Sequence, residues 1–302
     1  MKLKEGTEEL NYGRHIIRDW GAESVFAAAD ARQASGADSA DEDSPRVFRI
    51  LDLGCGHATD LLNIRDAAEG HPRFLDLHTD VELHGIENFE DYIIECREKG
   101  IHIHSIDIER SHYPAPDGFY DLVMANQLLE HTKEVFWIFA EVARILKPGG
   151  RFIAGVPNLA SLHNRLLLLF GQQPTAQQTY SAHVRGFTKP DFRLFAEKGD
   201  FFRLLDFKGS NFYPFGKSIA MPLARMFPTL AWGSFYMLER TARTGTFLEC
   251  LTGDDNFLET PFYGSPQNPA PPPPRRAAAK KKTAGKKAAA RKTPAKKAAK
   301  RK

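Results

Sequence analysis

The chain has only three cysteines in 302 residues, Cys55, Cys96 and Cys250. Their number is odd and none forms a closely spaced pair, which excludes a disulfide framework and a zinc knuckle and suits a reducing compartment. No stretch reaches the roughly 18 apolar residues of a membrane-spanning helix. The opening Met-Lys-Leu-Lys-Glu-Gly-Thr-Glu-Glu also lacks the apolar run of a secretory signal. The expectation is a cytoplasmic protein, either free or peripheral at the inner face of a membrane. There is no internal repeat, so solenoids and propellers are excluded.

Acidic residues are missing altogether from Arg275 to Lys302, where 14 lysines and arginines fall; residues 1–274 carry 27 basic against 38 acidic residues, a net of −11. The overall +3 therefore hides an acidic body and a basic tail. The tail is Ala/Lys-rich and has no aromatic residue, so it cannot build a core and is expected to be disordered when free. It is similar to linker-histone tails, and suits non-specific, salt-sensitive contact with nucleic acid or another polyanion. Six prolines between Gly264 and Pro274 predict an extended spacer ahead of it.

The organisation expected is an N-terminal helix and small, acidic linker over 1–46, a catalytic domain over 47–263, the Pro-rich linker over 264–274 and the tail over 275–302. The helix is predicted over Glu8–Phe26, where Ile16, Ile17 and Trp20 share an apolar face, and the mobile linker over Ala31–Ser44. Tyr12, Arg14 and His15 either touch a ligand there or merely cap and pack that helix.

Ile50-Leu-Asp-Leu-Gly-Cys-Gly56 is an apolar strand running into two glycines one residue apart. Without a Cβ, Gly54 and Gly56 let the backbone turn sharply and approach a ligand closely, and Asp52 can accept hydrogen bonds beside it. Val81–Glu87 reads as a second strand ending in an acid, where doubly wound sheets grip ribose hydroxyls. Ile101–Ile106 reads as a third, leading to Asp107-Ile108, an acceptor for an amino group and an apolar wall. Tyr120–Asn126 is a fourth, followed by Gln127-Leu128-Leu129-Glu130-His131. A helix then leads to the turn Lys147-Pro148-Gly149-Gly150. Thr59 stands where the nicotinamide fingerprint requires glycine, which argues against a dehydrogenase.

These stations, in this order, resemble the class I S-adenosylmethionine-dependent methyltransferases, in the small-molecule (type 11/23-like) branch whose fourth strand runs into Leu-Glu-His and which includes bacterial quinone and cell-surface saccharide enzymes. The resemblance covers about 47–243. It implies an α/β, Rossmann-like sheet of seven strands, six parallel and one antiparallel, with helices on both faces, Arg151–Val156 as the fifth strand and Phe201–Phe207 and Gly233–Thr241 as the last two. It implies S-adenosylmethionine held by Asp52, Gly54, Gly56, Glu87, Asp107, Ile108 and Asn126. Two features depart from the family: His57-Ala58-Thr59 replaces a small residue and a third glycine, and Gly56 to Glu87 is a wider gap than the roughly 20 residues of the dinucleotide fingerprint.

In that branch a His-x-Arg-x-Phe-Thr segment lines the site rim, and His183, Arg185 and Phe187 match it. The resemblance makes Arg185 and Phe187 substrate contacts and His183 a general base, since histidine titrates near neutrality; the alternative is that they pin the loop ahead of Thr188. Thr188 is a candidate N-cap, with Pro190 in the first turn and Gly199 as the stop. His131, just past the fourth strand's carboxyl end, is the other candidate base. Glu130 and His131 could also ligate a metal, but spacing marks no third ligand and no metal is expected.

Apolar, aromatic insertions over about 158–187 and 210–232 read as a lid for an acceptor with apolar surface. The function expected is O-methylation of a small-molecule or lipid-linked acceptor, a saccharide or a quinone-like ring. The alternatives are methylation of ribose or guanine in nucleic acid, and a non-catalytic polyanion-binding protein on the same scaffold. An exocyclic-amine target is disfavoured, because Asn126-Gln-Leu-Leu129 is not an Asn/Asp-Pro-Pro-Tyr turn.

Overall fold

The computed structural model describes residues 12–34, 46–251 and 261–272. The chain divides into Met1–Ala270 and Pro271–Lys302. Of the second unit only residues 271–272 are described, so the disorder and polyanion contacts expected of 275–302 lie outside the described residues.

Helix α1 (Arg14–Ala34) is followed by strand β1 (Arg46–Leu53), α2 (Thr59–Glu69), β2 (Thr79–Ile86), α3 (Glu90–Glu98), β3 (His102–His104), β4 (Tyr120–Asn126), α4 (Val135–Ile145) and β5 (Leu146–Pro157). Then come α5 (Leu162–Leu169), α6 (Lys189–Ala196), β6 (Phe202–Ser210), α7 (Lys217–Met226) and β7 (Gly233–Arg240). The seven strands form one sheet in the order β3-β2-β1-β4-β5-β7-β6. β7 runs antiparallel to both β5 and β6, and the remaining pairings are parallel. This is the class I methyltransferase sheet that the sequence predicts.

The central strands are nearly continuous apolar runs because both faces are covered. On one face α1 and α2 bury Trp20, Val25, Leu61 and Ile64 against Phe48, Ile50 and Met124. On the other, α4 and α6 pack an aromatic cluster around Phe139, whose ring contacts Phe152, Phe192, Phe195, Phe202 and Phe247. Phe192 also stacks on Tyr236 with centroids 3.9 Å apart.

Several boundaries differ from the sequence reading. α1 continues through Ala34 instead of stopping near Phe26, because Ala27-Ala28-Ala29 has the highest helix propensity; the expected linker therefore starts no earlier than residue 35, and residues 8–11 and 35–45 lie outside the described residues. β3 is only three residues long. The Lys147–Gly150 turn is absorbed into β5 as an irregularity between the Tyr120 and Leu122 pairings. The Thr188 side chain accepts the Asp191 N–H, and Gly199 adopts φ 73° past α6, as their residue types suggest.

The proline-rich segment is not extended from Gly264 onward. Phe262 packs on Phe136 and Tyr263 on Trp137, the Tyr263 N–H donates to Glu134, and Ser265 pairs with Asn268 across a tight turn. The expected lid has a small core of its own, with Phe212, Ala220, Ala224 and Ala231 buried together.

Candidate functional site

β1 ends in a turn fastened to its neighbour: the Gly54 and Cys55 N–H groups donate to the Ile86 carbonyl at 2.8 and 3.2 Å. Gly54 has φ 70° and Gly56 φ 51°, left-handed values that favour glycine. A Cβ on Gly56 would meet nothing within 4 Å, so the face of the turn is open. Ala58, standing where the family has its third glycine, is itself left-handed at φ 58°.

Glu87, at the end of β2, closes onto this turn. Its Oε2 accepts the Gly56 N–H at 2.9 Å, and its Oε1 accepts those of Asn88 and Phe89 at 2.8 and 2.9 Å. The carboxylate is thereby fixed in place, with one lone pair of Oε2 still available to a hydroxyl donor.

Asp52 is only 4% exposed. Burial, then the charges of Asp60 and Glu87, push its carboxyl well above the usual range, against the pull of Arg14. Asp60, in the first turn of α2, is raised chiefly by burial and held back by Arg14 and by a hydrogen bond from Asn126. The Asn126 amide donates to Asp60 Oδ2 at 2.9 Å and to the Tyr12 carbonyl at 3.0 Å, while its Oδ1 is buried and receives no donor. That oxygen fits because residue 155 is glycine; a Cβ there would lie 2.5 Å away. Three acids, Asp52, Asp60 and Glu87, thus face one another with Arg14 as the cation among the stated neighbours. Such a notch favours a ligand bringing positive charge and hydrogen-bond donors.

Asp107 and Ile108 follow β3 on the same edge. Asp107 is exposed, its Oδ1 capping the Glu109 N–H at 2.9 Å, and Ile108 packs partly against the core. The cofactor residues expected from the sequence therefore lie at the carboxyl ends of β1 to β4, with Arg14 and Asp60 added. Of the two roles open to Arg14 in the sequence, ligand contact or helix packing, its ion pair with Asp60 at 3.4 Å sets it beside the site; Asp60 has no counterpart in the sequence reading, where the available signal is an acid in the first turn of the helix that follows the glycines.

A second group lies beyond β4. Leu128 rests on the glycine turn, its Cδ1 only 3.1 Å from where a Gly54 Cβ would be, and a 3-10 turn, Leu129–His131, follows. The loop carrying His183 is fastened here: the Val184 and Arg185 N–H groups donate to the Glu130 carbonyl, and the Arg185 guanidinium donates to the Thr132 and Lys133 carbonyls at 3.0 and 2.6 Å. As a result the two candidate bases meet, with the His131 and His183 rings 4.6 Å apart. Burial, then His183, lower the pKa of His131. Behind them Glu130 is 1% exposed, and burial pushes its carboxyl up to about 7.

The structure gives Arg185 and Phe187, expected as substrate contacts, roles in seating the loop. Phe187 is 5% exposed and packs on Phe192, its backbone bridging to Asn158; it is a core side chain that seats the loop. Arg185 is half-buried and directs two of its five guanidinium donors to the two carbonyls just described, which pins the loop to the 3-10 turn. Among the described residues, no helix is long and apolar enough to cross a membrane.

The chain is 29% identical over 115 residues to an uncharacterized 37.1 kDa protein in transposon Tn4556 of Streptomyces fradiae, covering 37% of this chain and 31% of that protein. It is 27% identical over 124 residues to 27-O-demethylrifamycin SV methyltransferase of Amycolatopsis mediterranei, covering 38% and 42%. The chain thus spans less than half the length of these two curated relatives. A solved S-adenosylmethionine-dependent methyltransferase from Mesorhizobium loti is 19% identical, with 72% of this chain and 98% of that chain covered and a TM-score of 0.44. The model of the family described as methionine biosynthesis protein MetW matches residues 43–209; that is more than half of the chain, which belongs to this family.

Proposed function

We propose that the protein is an S-adenosylmethionine-dependent methyltransferase that transfers the methyl group to a hydroxyl of a small-molecule or lipid-linked acceptor, a saccharide or a quinone-like ring. The observation that carries the reading is the acid-lined notch over the glycine turn. Asp52 and the orphaned Asn126 Oδ1 suit the ammonium and sulfonium end of the cofactor, Arg14 its carboxylate, Glu87 its ribose hydroxyls, and Asp107 with Ile108 its adenine. The bound cofactor supplies an already activated methyl group, so the protein's tasks are alignment and removal of the acceptor's proton.

For that proton this reading assigns His131 and His183, a choice supported by their rings standing 4.6 Å apart just past the end of β4. The acceptor O–H gives its proton to an imidazole nitrogen as the oxygen's electron pair forms the new C–O bond; the S–C bond breaks and the sulfur leaves as a neutral thioether. A cavity of about 520 Å³ is lined by His163, Leu167, Gln172, Gln173, Thr175, Gln178, Thr179 and Tyr180, and it is linked to His183 through the Ala176 carbonyl next to Thr175, which accepts from the His183 ring at 2.9 Å. Amide, hydroxyl and imidazole groups beside the apolar Leu167 and Tyr180 surfaces suit a hydroxylated ring with an apolar face. The name of the Amycolatopsis relative puts its own methyl group on oxygen, which supports the same choice here. Leu168, Leu169 and Phe170, exposed on the adjacent end of α5, suit a lipid carrier.

The test is calorimetric titration of S-adenosylmethionine and S-adenosylhomocysteine into the wild-type protein and into Asp52→Ala and Glu87→Ala. Micromolar binding, weakened in both variants, is expected, followed by methylation of hydroxylated lipid-linked sugars or quinols. No cofactor binding by the wild type would sink the reading.

A further inference from the structure

The sequence marks only Glu130 and His131 as neighbours able to hold a metal. The fold supplies the third ligand, His183, from 52 residues further along the chain. Glu130, His131 and His183 each offer one ligand atom, and these atoms lie within 4.8 Å of one another. Glu130 is 1% exposed, yet neither of its carboxylate oxygens accepts a hydrogen bond; the His131 Nε2 stands 3.9 Å from its Oε1. A buried carboxylate left this way is costly unless a cation or donor joins it.

The imidazoles are set up as ligands. The Nδ1 atoms of His183 and His131 face the Ala176 and Ala182 carbonyls at 2.9 and 3.4 Å. A carbonyl only accepts, so Nδ1 carries the proton in both rings and each Nε2 keeps its lone pair. This is the outer-shell arrangement that orients metal-bound histidines. The two ligand segments are also tied together, by the Val184 and Arg185 N–H groups on the Glu130 carbonyl and the Arg185 guanidinium on the Thr132 and Lys133 carbonyls. Metal–ligand bonds of about 2.0–2.2 Å draw tetrahedral ligand atoms to roughly 3.5 Å apart. Closing the cluster from its present spread takes a shift of about 1.3 Å, within the reach of side-chain rotation by the exposed His131.

We propose that Glu130, His131 and His183 form a binding site for one divalent first-row metal ion, of zinc type, with an open coordination position facing the acceptor side. Two imidazoles and one carboxylate suit zinc rather than magnesium, which prefers oxygen ligands and retains its waters. Occupancy of the site is independent of the methyl-transfer reading. Its use rests on the cofactor-binding part of that reading and replaces the imidazole base in it: with the ion bound, the open position would take the acceptor's hydroxyl oxygen, lower its pKa and release the proton to water, while the histidines serve as ligands.

The test is zinc titration against a competing chromophoric chelator, with full-length protein stripped by EDTA, in the wild type, His183→Ala and Glu130→Gln. One equivalent is expected in the wild type, with affinity lower by on the order of 100-fold or more in each variant. Zinc should raise the thermal midpoint of the wild type alone. His183→Ala alters a loop side chain and Glu130→Gln keeps the shape of the acid; should the latter fail to fold by circular dichroism, the former decides. No zinc binding by the wild type overturns the proposal. So does binding unchanged in the variants, which would place the metal elsewhere, for example at the His84, His102 and His104 edge. Cofactor titration into the zinc-free wild type runs separately, so failure there sinks the methyltransferase reading and leaves the zinc result interpretable.

Discussion

The sheet's carboxyl edge and the cap over α5 and α7 invert the usual relation between polarity and burial in opposite ways. At the edge, charged groups are hidden: Asp52 is 4% exposed and Asp60 8%. On the cap, apolar groups are exposed: Leu169 and Phe170 at 75% and Tyr180 at 86%. Both arrangements cost stability in the free protein, the first by desolvating charge and the second by leaving apolar surface in water. A ligand can relieve such features, which is why the proposed function sets the cofactor's cationic end at the edge and an apolar part of the acceptor at the cap. The aromatic cluster around Phe139 is instead apolar and buried, Phe195 partly so, and the largest effects of substitution belong to it.

Phe139→Ala gives the reference for the comparison. The ring is fully buried and contacts five other aromatic rings, so its loss should lower unfolding free energy by about 3–5 kcal/mol in urea denaturation. A loss below about 1 kcal/mol would mean that the cluster can collapse around the gap. At the edge, Glu87→Ala should weaken S-adenosylmethionine by roughly 10- to 100-fold in calorimetry, the value of hydrogen bonds to a charged group. Unchanged affinity would show that Glu87 only braces the Gly56 turn.

Asp52→Asn sharpens the contrast through pH. A carboxyl whose pKa is raised by folding holds its proton in the native state after the unfolded state has released it. Stability therefore falls as pH rises from about 3.9, the unfolded value, through the folded one. Asp52 is raised by burial first and then by Asp60 and Glu87, so the cofactor-free wild type should lose stability across that window and Asp52→Asn should lose less. Denaturation at a series of pH values decides it, with parallel profiles ruling out the buried charge as the cost. Saturating cofactor should reduce the wild-type loss, because a bound cation stabilises the ionised carboxylate.

The glycine turn, the acid at the end of β2 and the apolar insertions of the cap were legible in the sequence, whereas the long-range meetings within the edge and beneath the cap were not, for a physical reason. Gly54, Gly56 and Glu87 follow directly from local chain geometry: a strand must end, turn without a Cβ and meet an acid at the next strand's end. Thr188, Pro190 and Gly199 are local signals of the same kind. Asp60 is different, since its burial depends on Asn126 and Arg14, which approach from distant parts of the chain. The meeting of Glu130 with His183 likewise depends on Arg185 reaching the Thr132 carbonyl. Phe187 shows the limit of residue type as evidence, because an aromatic side chain beside a site packs a core as readily as it contacts a ligand. The seven strands were recognisable, but α1 outran its predicted end because three alanines carry no apolar stripe to mark a boundary.

Ala58 is a smaller test at the edge. Its left-handed φ of 58° costs an L-residue about 1–2 kcal/mol, and glycine returns part of that gain through unfolded-state entropy. Ala58→Gly should therefore stabilise the protein by roughly 0.5–1 kcal/mol, read as a rise in denaturation midpoint. A fall would show that the buried methyl group contributes more by packing than the backbone loses by strain.

The smallest expected change completes the contrast. Phe170→Ser removes a large ring, as Phe139→Ala does, but from a site that is mostly in water, so unfolding free energy should move by no more than about 0.5 kcal/mol. The same change should matter when the acceptor is lipid-linked, raising KM with the carrier present and leaving a soluble headgroup analogue unaffected. A stability loss of about 2 kcal/mol or more would place Phe170 against a packed surface in solution and remove the cap's side of the comparison. Equal KM effects on both acceptors would place the ring against the headgroup, turning an apolar landing surface into a wall of the reaction site.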